Sequence, residues 1–158
     1  MDDSLRVRRG SPDDAAWIRD CQLAMAQETE ALALDAATVL RGVEHVLANP
    51  AIGFYVVAER VAPAAPPARV ACALVLYEWS DWRARNVWWI HSVFVLPGER
   101  GGGVFSAMFR DVEREAAARG APYLRLYVER ENHRAQRVYE KLEMSDRHYA
   151  MYEKPIRG

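Results

Sequence analysis

Apolar positions change their period several times along the 158-residue chain, and each change marks an element. Leu5-Arg6-Val7-Arg8-Arg9 alternates as a short strand does. Ser11-Pro12-Asp13-Asp14 then offers a capping residue, a proline allowed in a first turn and two acids suited to a helix start. Trp17, Ile18, Cys21, Leu23 and Met25 follow at roughly helical spacing. A second helix is predicted after Asp35, carrying Val39, Leu40, Val43, Val46 and Leu47, with Asn49-Pro50 as its stop. Phe54 to Glu59 is rich in strand formers, Pro63 to Pro67 reads as a turn or loop, and Val70 to Tyr77 is the returning strand of a hairpin. Glu78 to Asn86, polar and bearing Trp79 and Trp82, is predicted as a loop. Val87 to Val95 is a strongly apolar strand. A helix from Val104 to Arg119, ended by Gly120, follows a run of glycines. Tyr123 to Val128 is a strand, His133 to Leu142 a short helix, and Arg147 to Tyr152 a last strand.

This order predicts an α/β or α+β protein with one sheet and helices on its faces, in a single domain over residues 1–158. Composition narrows the function. Lys and Arg number 21 against 22 Asp and Glu, for a net charge of −1. That balance lacks the basic excess that binding a phosphate backbone requires, so nucleic acid is not an expected partner. No apolar run approaches the roughly 18 residues that span a bilayer, and Met1 to Arg6 carries no signal pattern. A cytoplasmic protein without a membrane partner is expected. Cys21 and Cys72, both in apolar stretches, read as buried thiols of a reducing compartment, with a bridge between them left open. His45, His133 and His148 are too scattered to suggest a metal site.

Chemistry concentrates in Val93-Phe94-Val95-Leu96-Pro97-Gly98-Glu99-Arg100-Gly101-Gly102-Gly103-Val104-Phe105. A buried strand runs straight into a glycine-rich turn that opens a helix. At a helix start several N–H groups lack partners and the helix dipole adds positive charge, while glycines let an anion approach the backbone. The physical reading is a pyrophosphate cradle. A P-loop would need Lys-Ser/Thr where Val104-Phe105 stands, and a dinucleotide fingerprint would sit at the first strand–helix turn rather than this late one.

Val95-x-Pro97-x-x-Arg100-Gly101-x-Gly103-Val104 resembles the coenzyme-A signature of the GNAT (GCN5-related N-acetyltransferase) family. Asn132-x-x-Ala135-x-x-Val138-Tyr139-x-Lys141-Leu142 is similar to its second signature. The resemblance covers Leu5 to Glu153, departing at Phe105 and at Glu143-Met144. It implies a mixed, mostly antiparallel central sheet with helices on both faces, and an enzyme moving an acetyl group from acetyl-CoA to a primary amine without a metal. It puts the pyrophosphate on the backbone of Arg100, Gly101, Gly102, Gly103, Val104 and Phe105. The pantetheine arm would lie along the main chain of Val93 and Val95, with Asn132 as a further contact. Tyr139 takes the part of the acid for the departing thiolate.

His91 stands where relatives that acetylate polyamines carry an acidic base, and an imidazole can accept a proton near neutral pH; Glu28, Glu30 and Glu78 are alternative bases. The same carboxylates, with the indoles of Trp79 and Trp82, are expected to hold a small cationic amine. A non-catalytic acetyl-CoA-binding module and a protein N-acetyltransferase are the rival readings. The aromatic C-terminal stretch (Tyr149, Met151, Tyr152) allows a homodimer.

Overall fold

The structure, a computed structural model, describes residues 4–156; Met1 to Asp3, part of the segment read for a signal pattern, lie outside the described residues. The chain falls into two compact units, divided after Arg125. The first holds a five-stranded sheet in the order β1-β2-β3-β4-β5. Its strands are β1 (Leu5–Arg9), β2 (Gly53–Ala62), β3 (Ala65–Ser80), β4 (Arg85–Val95) and β5 (Leu124–Arg125). The first four pair antiparallel and β5 joins β4 in parallel, so the mixed, mostly antiparallel sheet is present. Helices α1 (Ala15–Glu30), α2 (Ala36–Ala48) and α3 (Val104–Ala118) complete the unit.

Strand periodicity decides which helix covers which face. Tyr55 and Val57 of β2, Cys72 of β3 and Phe94 of β4 form one core with Ile18 and Cys21 of α1 and Val43 and Val46 of α2. The intervening residues Phe54, Val56 and Ala58 therefore point to the opposite face, where α3 contacts β1 to β4 and buries Val104, Met108, Phe109, Val112 and Ala116. Asp35 caps α2 by accepting from the Thr38 N–H at 2.8 Å, as its position before the apolar repeat predicts. Cys21 and Cys72 are buried free thiols in the same core cluster.

Several boundaries differ from the sequence expectation. The hairpin tip after β2 shrinks to a turn at Pro63-Ala64, and Pro66 and Pro67 lie within β3. There β3 runs out beyond β4, whose pairing begins only at Ala71, so missing N–H groups cost no ladder bond. The expected loop Glu78 to Asn86 is mostly strand. Only Asp81 to Ala84 turns, closed by the Arg83 N–H donating to the Ser80 carbonyl at 3.2 Å, with Ala84 at φ 49°. The strand expected over Tyr123 to Val128 is reduced to two residues, and Arg147 to Tyr152 is not a strand. Alternation shows a two-faced segment but not whether a partner edge is available to it.

The second unit, from Leu126 on, contains α4 (His133–Lys141). Asn132 caps this helix, its Oδ1 accepting from the Ala135 N–H at 3.1 Å. Gln136 ties the preceding loop by donating to the Glu129 and Arg130 carbonyls at 3.1 and 2.8 Å.

One buried charge cluster locks the start of α1 to the sheet. Asp14, with no exposed surface, accepts from Arg8 (2.7 and 3.0 Å), from Arg69 (2.7 Å) and from the Ser11 N–H (2.8 Å). Burial alone would raise its pKa, but the bonds from Arg8, Ser11 and Arg69 outweigh this and hold the carboxyl well below the usual range. A depressed carboxyl stabilises the fold fully above its unfolded pKa of about 4, and the contribution drains away as pH falls below that value. Asp14→Ala should cost on the order of 3 kcal/mol, the low end for breaking a buried pair, because both arginines keep part of their surface in water. Urea unfolding at pH 7 and at pH 3 checks this, with the gap between parent and variant narrowing at the lower pH.

Candidate active site

The site begins at an irregularity in β4. Cys72 pairs with Phe94 and Leu74 with His91, so two steps along β3 match three along β4. The extra residue is a β-bulge, and Ser92 adopts φ 39°, a left-handed value that a non-glycine residue holds only under surrounding constraint. On its other side β4 pairs with β5 only through Trp88 and Trp89. Beyond Trp89 no described strand takes up that edge, which carries Val93 and Val95. The Val95 carbonyl accepts from Arg100 Nε at 2.9 Å.

The glycine turn follows. Pro97–Glu99 forms a single 3-10 turn, Gly101 lies at φ 87° and Gly103, the N-cap of α3, at φ 80°. The first intrahelical bond runs from the Ala107 N–H to the Gly103 carbonyl at 3.0 Å, so the first-turn N–H groups have no acceptor within the helix. Gly103 brings no side chain to cap them. A Cβ built there would meet nothing within 4 Å. The space and the partial positive charge of roughly half a unit at the helix start suit a pyrophosphate, so these residues fit coenzyme A. Phe105, at the departure from the family pattern, lies with its ring 6.1 Å from that of Phe109.

Charges around the turn are paired. Arg100 donates to Glu28 at 2.7 Å, and its guanidinium lies 5.7 Å from the Phe94 ring. Arg60 donates to Glu99 at 2.8 and 3.1 Å. The Glu28 contact ties the last turn of α1 to the turn. Glu30 ends α1, exposed.

On the face covered by α1 and α2, Trp89 and His91 pair with Leu76 and Leu74. His91 is half-buried, and burial lowers its pKa below the ordinary imidazole value. Its ring lies 6.0 Å from that of Trp89. Trp89 Nε1 donates to Glu78 at 2.8 Å and Arg125 donates to the same carboxylate at 3.0 Å. Glu78 and His91 thus share a face and are linked through Trp89. Trp79 does not join them: it pairs with Asn86 and alternates to the α3 side with Tyr77 and Trp88. Trp82 sits on the turn, 88% exposed. The two indoles therefore do not line a common wall with Glu78. In the second unit, Asn132 opens α4 and Tyr139 lies on it; burial pushes the Tyr139 phenol up.

Sequence reasoning missed Trp89, Arg125, the Arg100 side chain and the bulge at Ser92. Trp89 was accessible, since it stands two residues before His91 and must share its face. Arg125 was not, because 47 positions separate it from Glu78.

Residues 50–144 match the acetyltransferase (GNAT) family. Over 87 residues the chain is 33% identical to a thialysine N-epsilon-acetyltransferase from Bos taurus, a match covering 54% of this chain and 51% of the relative. The matched stretch spans about half the length of that curated relative. Among solved structures, a possible acetyltransferase from Clostridium difficile 630 is 32% identical with a TM-score of 0.87, covering 99% of this chain and all of that one. An aminoglycoside N-acetyltransferase solved with CoA shares the fold at 16% identity, with a TM-score of 0.76 and coverage of 96% and 94%. The bulged strand, the left-handed glycine turn and the open helix start lie in a chain whose sequence and fold both match one family, and this chain belongs to the acetyltransferase (GNAT) family.

Proposed function

We propose that the protein transfers the acetyl group of acetyl-CoA to the primary amine of a small molecule. The observation that carries this reading is the start of α3, where a left-handed Gly103 opens the helix without a capping side chain directly after a bulged strand. Acetyl-CoA, when bound, supplies an acyl group activated as a thioester. The backbone from Arg100 to Phe105 holds the pyrophosphate, and the Val93 and Val95 main chain pairs with the pantetheine arm as an added strand would. Asn132 is a further contact in this reading, which takes both units as parts of one domain.

Two proton movements are assigned to side chains. An alkylamine with a pKa near 10.4 is about one part in a thousand neutral at pH 7, so the acceptor nitrogen must lose a proton. His91, its pKa depressed by burial, is neutral at pH 7 and serves as the base. Tyr139, its pKa raised by burial, keeps its phenolic proton at neutral pH and donates it to the departing thiolate.

The acceptor is read as a small cationic amine. Glu28 and Glu78 are already paired with Arg100 and Arg125, which weakens the attraction they offer, so Glu30 and the Trp89 ring carry more of it. The curated relative is named for an N-epsilon transfer to thialysine and a structural neighbour for aminoglycosides; both names describe amine acceptors. A cytoplasmic setting and a homodimer through the exposed Tyr149, Met151 and Tyr152 belong to this reading.

Three outcomes are expected. Gly103→Asp places a carboxylate at the helix start, where it caps the amides itself and repels phosphate; calorimetry should show acetyl-CoA binding lost while the fold survives. Tyr139→Phe should lower kcat by about 10–10³-fold with the KM for acetyl-CoA little changed, and unchanged turnover from pH 6 to 9 would remove the residue from the mechanism. His91→Gln should abolish the acid limb of the kcat/KM profile, which in the parent lies below the ordinary imidazole pKa of about 6.5 because burial lowers that of His91. An identical profile in parent and variant would hand the base role to Glu28, Glu30 or Glu78.

A further inference from the structure

The α3 face of the sheet is longer than the helix that covers it. Helix α3 ends at Ala118, while β3 and β4 run on to the rungs Trp79↔Asn86 and Ser80↔Arg85. The overhang leaves an aromatic shelf. Tyr77 and Trp88 pack tilted at 5.1 Å between centroids, and Trp79, next along the same face, is 65% exposed. Together with Arg85, Asn86 and Arg119 they line a cavity of about 300 Å³. An adjoining cavity of about 270 Å³ shares Tyr77 and Arg119 and adds Arg9.

The charge here is cationic. Arg119 holds its guanidinium 6.0 Å from the Trp88 ring, and Arg9 lies 3.0 Å from the Phe54 centroid. Arg85 donates to the Gly120 carbonyl at 3.2 Å, offsetting the negative end of the α3 dipole that would otherwise oppose an anion. The carboxylate these arginines meet is Glu115, bonded to both Arg9 and Arg119. Arg9 and Arg119 thus pair with one acid while Arg85 bonds a carbonyl, beside the exposed Trp79 ring.

We infer that this shelf is a second binding site, taking a small aromatic carboxylate whose ring stacks on Trp79 and whose anionic group lies between Arg85 and Arg119. The ring faces select planarity and the guanidiniums select negative charge, and the volume matches the low end of small-ligand pockets. The site is distinct from the glycine turn. It lies at the C-terminal end of α3, whose 15 residues separate the two by about 22 Å, and on the sheet face opposite His91.

The test uses 2-naphthoate as probe, followed through the indole N–H resonances of ¹⁵N-labelled protein. The peaks of Trp79 and Trp88 should shift on titration, while those of Trp17 and Trp89 hold still; Trp79→Ala assigns the first by its loss. Neutral 2-naphthamide should bind at least tenfold more weakly, and Trp79→Ala and Arg85→Gln should each weaken 2-naphthoate about tenfold without altering acetyl-CoA affinity. Saturating coenzyme A should leave 2-naphthoate binding unchanged. Absence of shifts at millimolar probe, equal binding of the amide, or displacement of the probe by coenzyme A would each overturn the proposal. None of these results depends on whether the protein acetylates an amine.

Discussion

The first turn of α3 is the constraint around which the rest of the site is arranged. A helix start leaves N–H groups without intrahelical acceptors, and most chains spend a side chain of Ser, Thr, Asp or Asn to satisfy them. Here a left-handed glycine stands in the capping position. That choice gives up stability at the helix end in return for an exposed donor surface that an anion can complete. The surroundings then have to hold the turn without filling it. Arg100 does this from one side, bonded to Glu28 and to the Val95 carbonyl, and Glu99 from the other, bonded to Arg60. These ion pairs are partly exposed, so each contributes little energy. Their effect is positional, tying α1 and β2 to the loop that follows β4.

The bulge in β4 serves the same arrangement. One added residue keeps His91 and Phe94 on the α1–α2 face although three positions separate them, and it bends the strand away from a flat ladder. His91 is thereby set among packed neighbours, where burial disfavours its charged form. In the proposed mechanism, the neutral form is the one that accepts the amine proton. Glu78, which the sequence offers for the same task, accepts from Trp89 Nε1 and from Arg125.

Elements with strong local periodicity were legible in the sequence. The α2 cap at Asp35, the stop at Asn49, the end of α3 before Gly120 and the apolar β4 all follow from local chemistry. The glycine turn was legible as well, because Gly101 and Gly103 occupy backbone conformations that few other residues tolerate. What stayed hidden depends on pairing between distant segments. The polar run Glu78 to Asn86 looks like a loop until β4 supplies it with a ladder, and Arg147 to Tyr152 looks like a strand although it has no rung in the sheet. The bulge left no local signal, since Ser92 is an ordinary residue until register forces it to φ 39°. Opposite-facing neighbours were the other difficulty. Glu78 and Trp79 are adjacent in sequence and were read as one wall, but strand geometry sends them to different faces.

In the proposed function, the amides at the start of α3 bind the pyrophosphate of coenzyme A. Titration of ¹⁵N-labelled protein with coenzyme A, read at the backbone amides, tests it directly. The resonances of Gly102 to Ser106 should move first and furthest, in the direction of stronger hydrogen bonding, with those at the far end of α3 unaffected. Saturable binding that leaves these amides in place would contradict it.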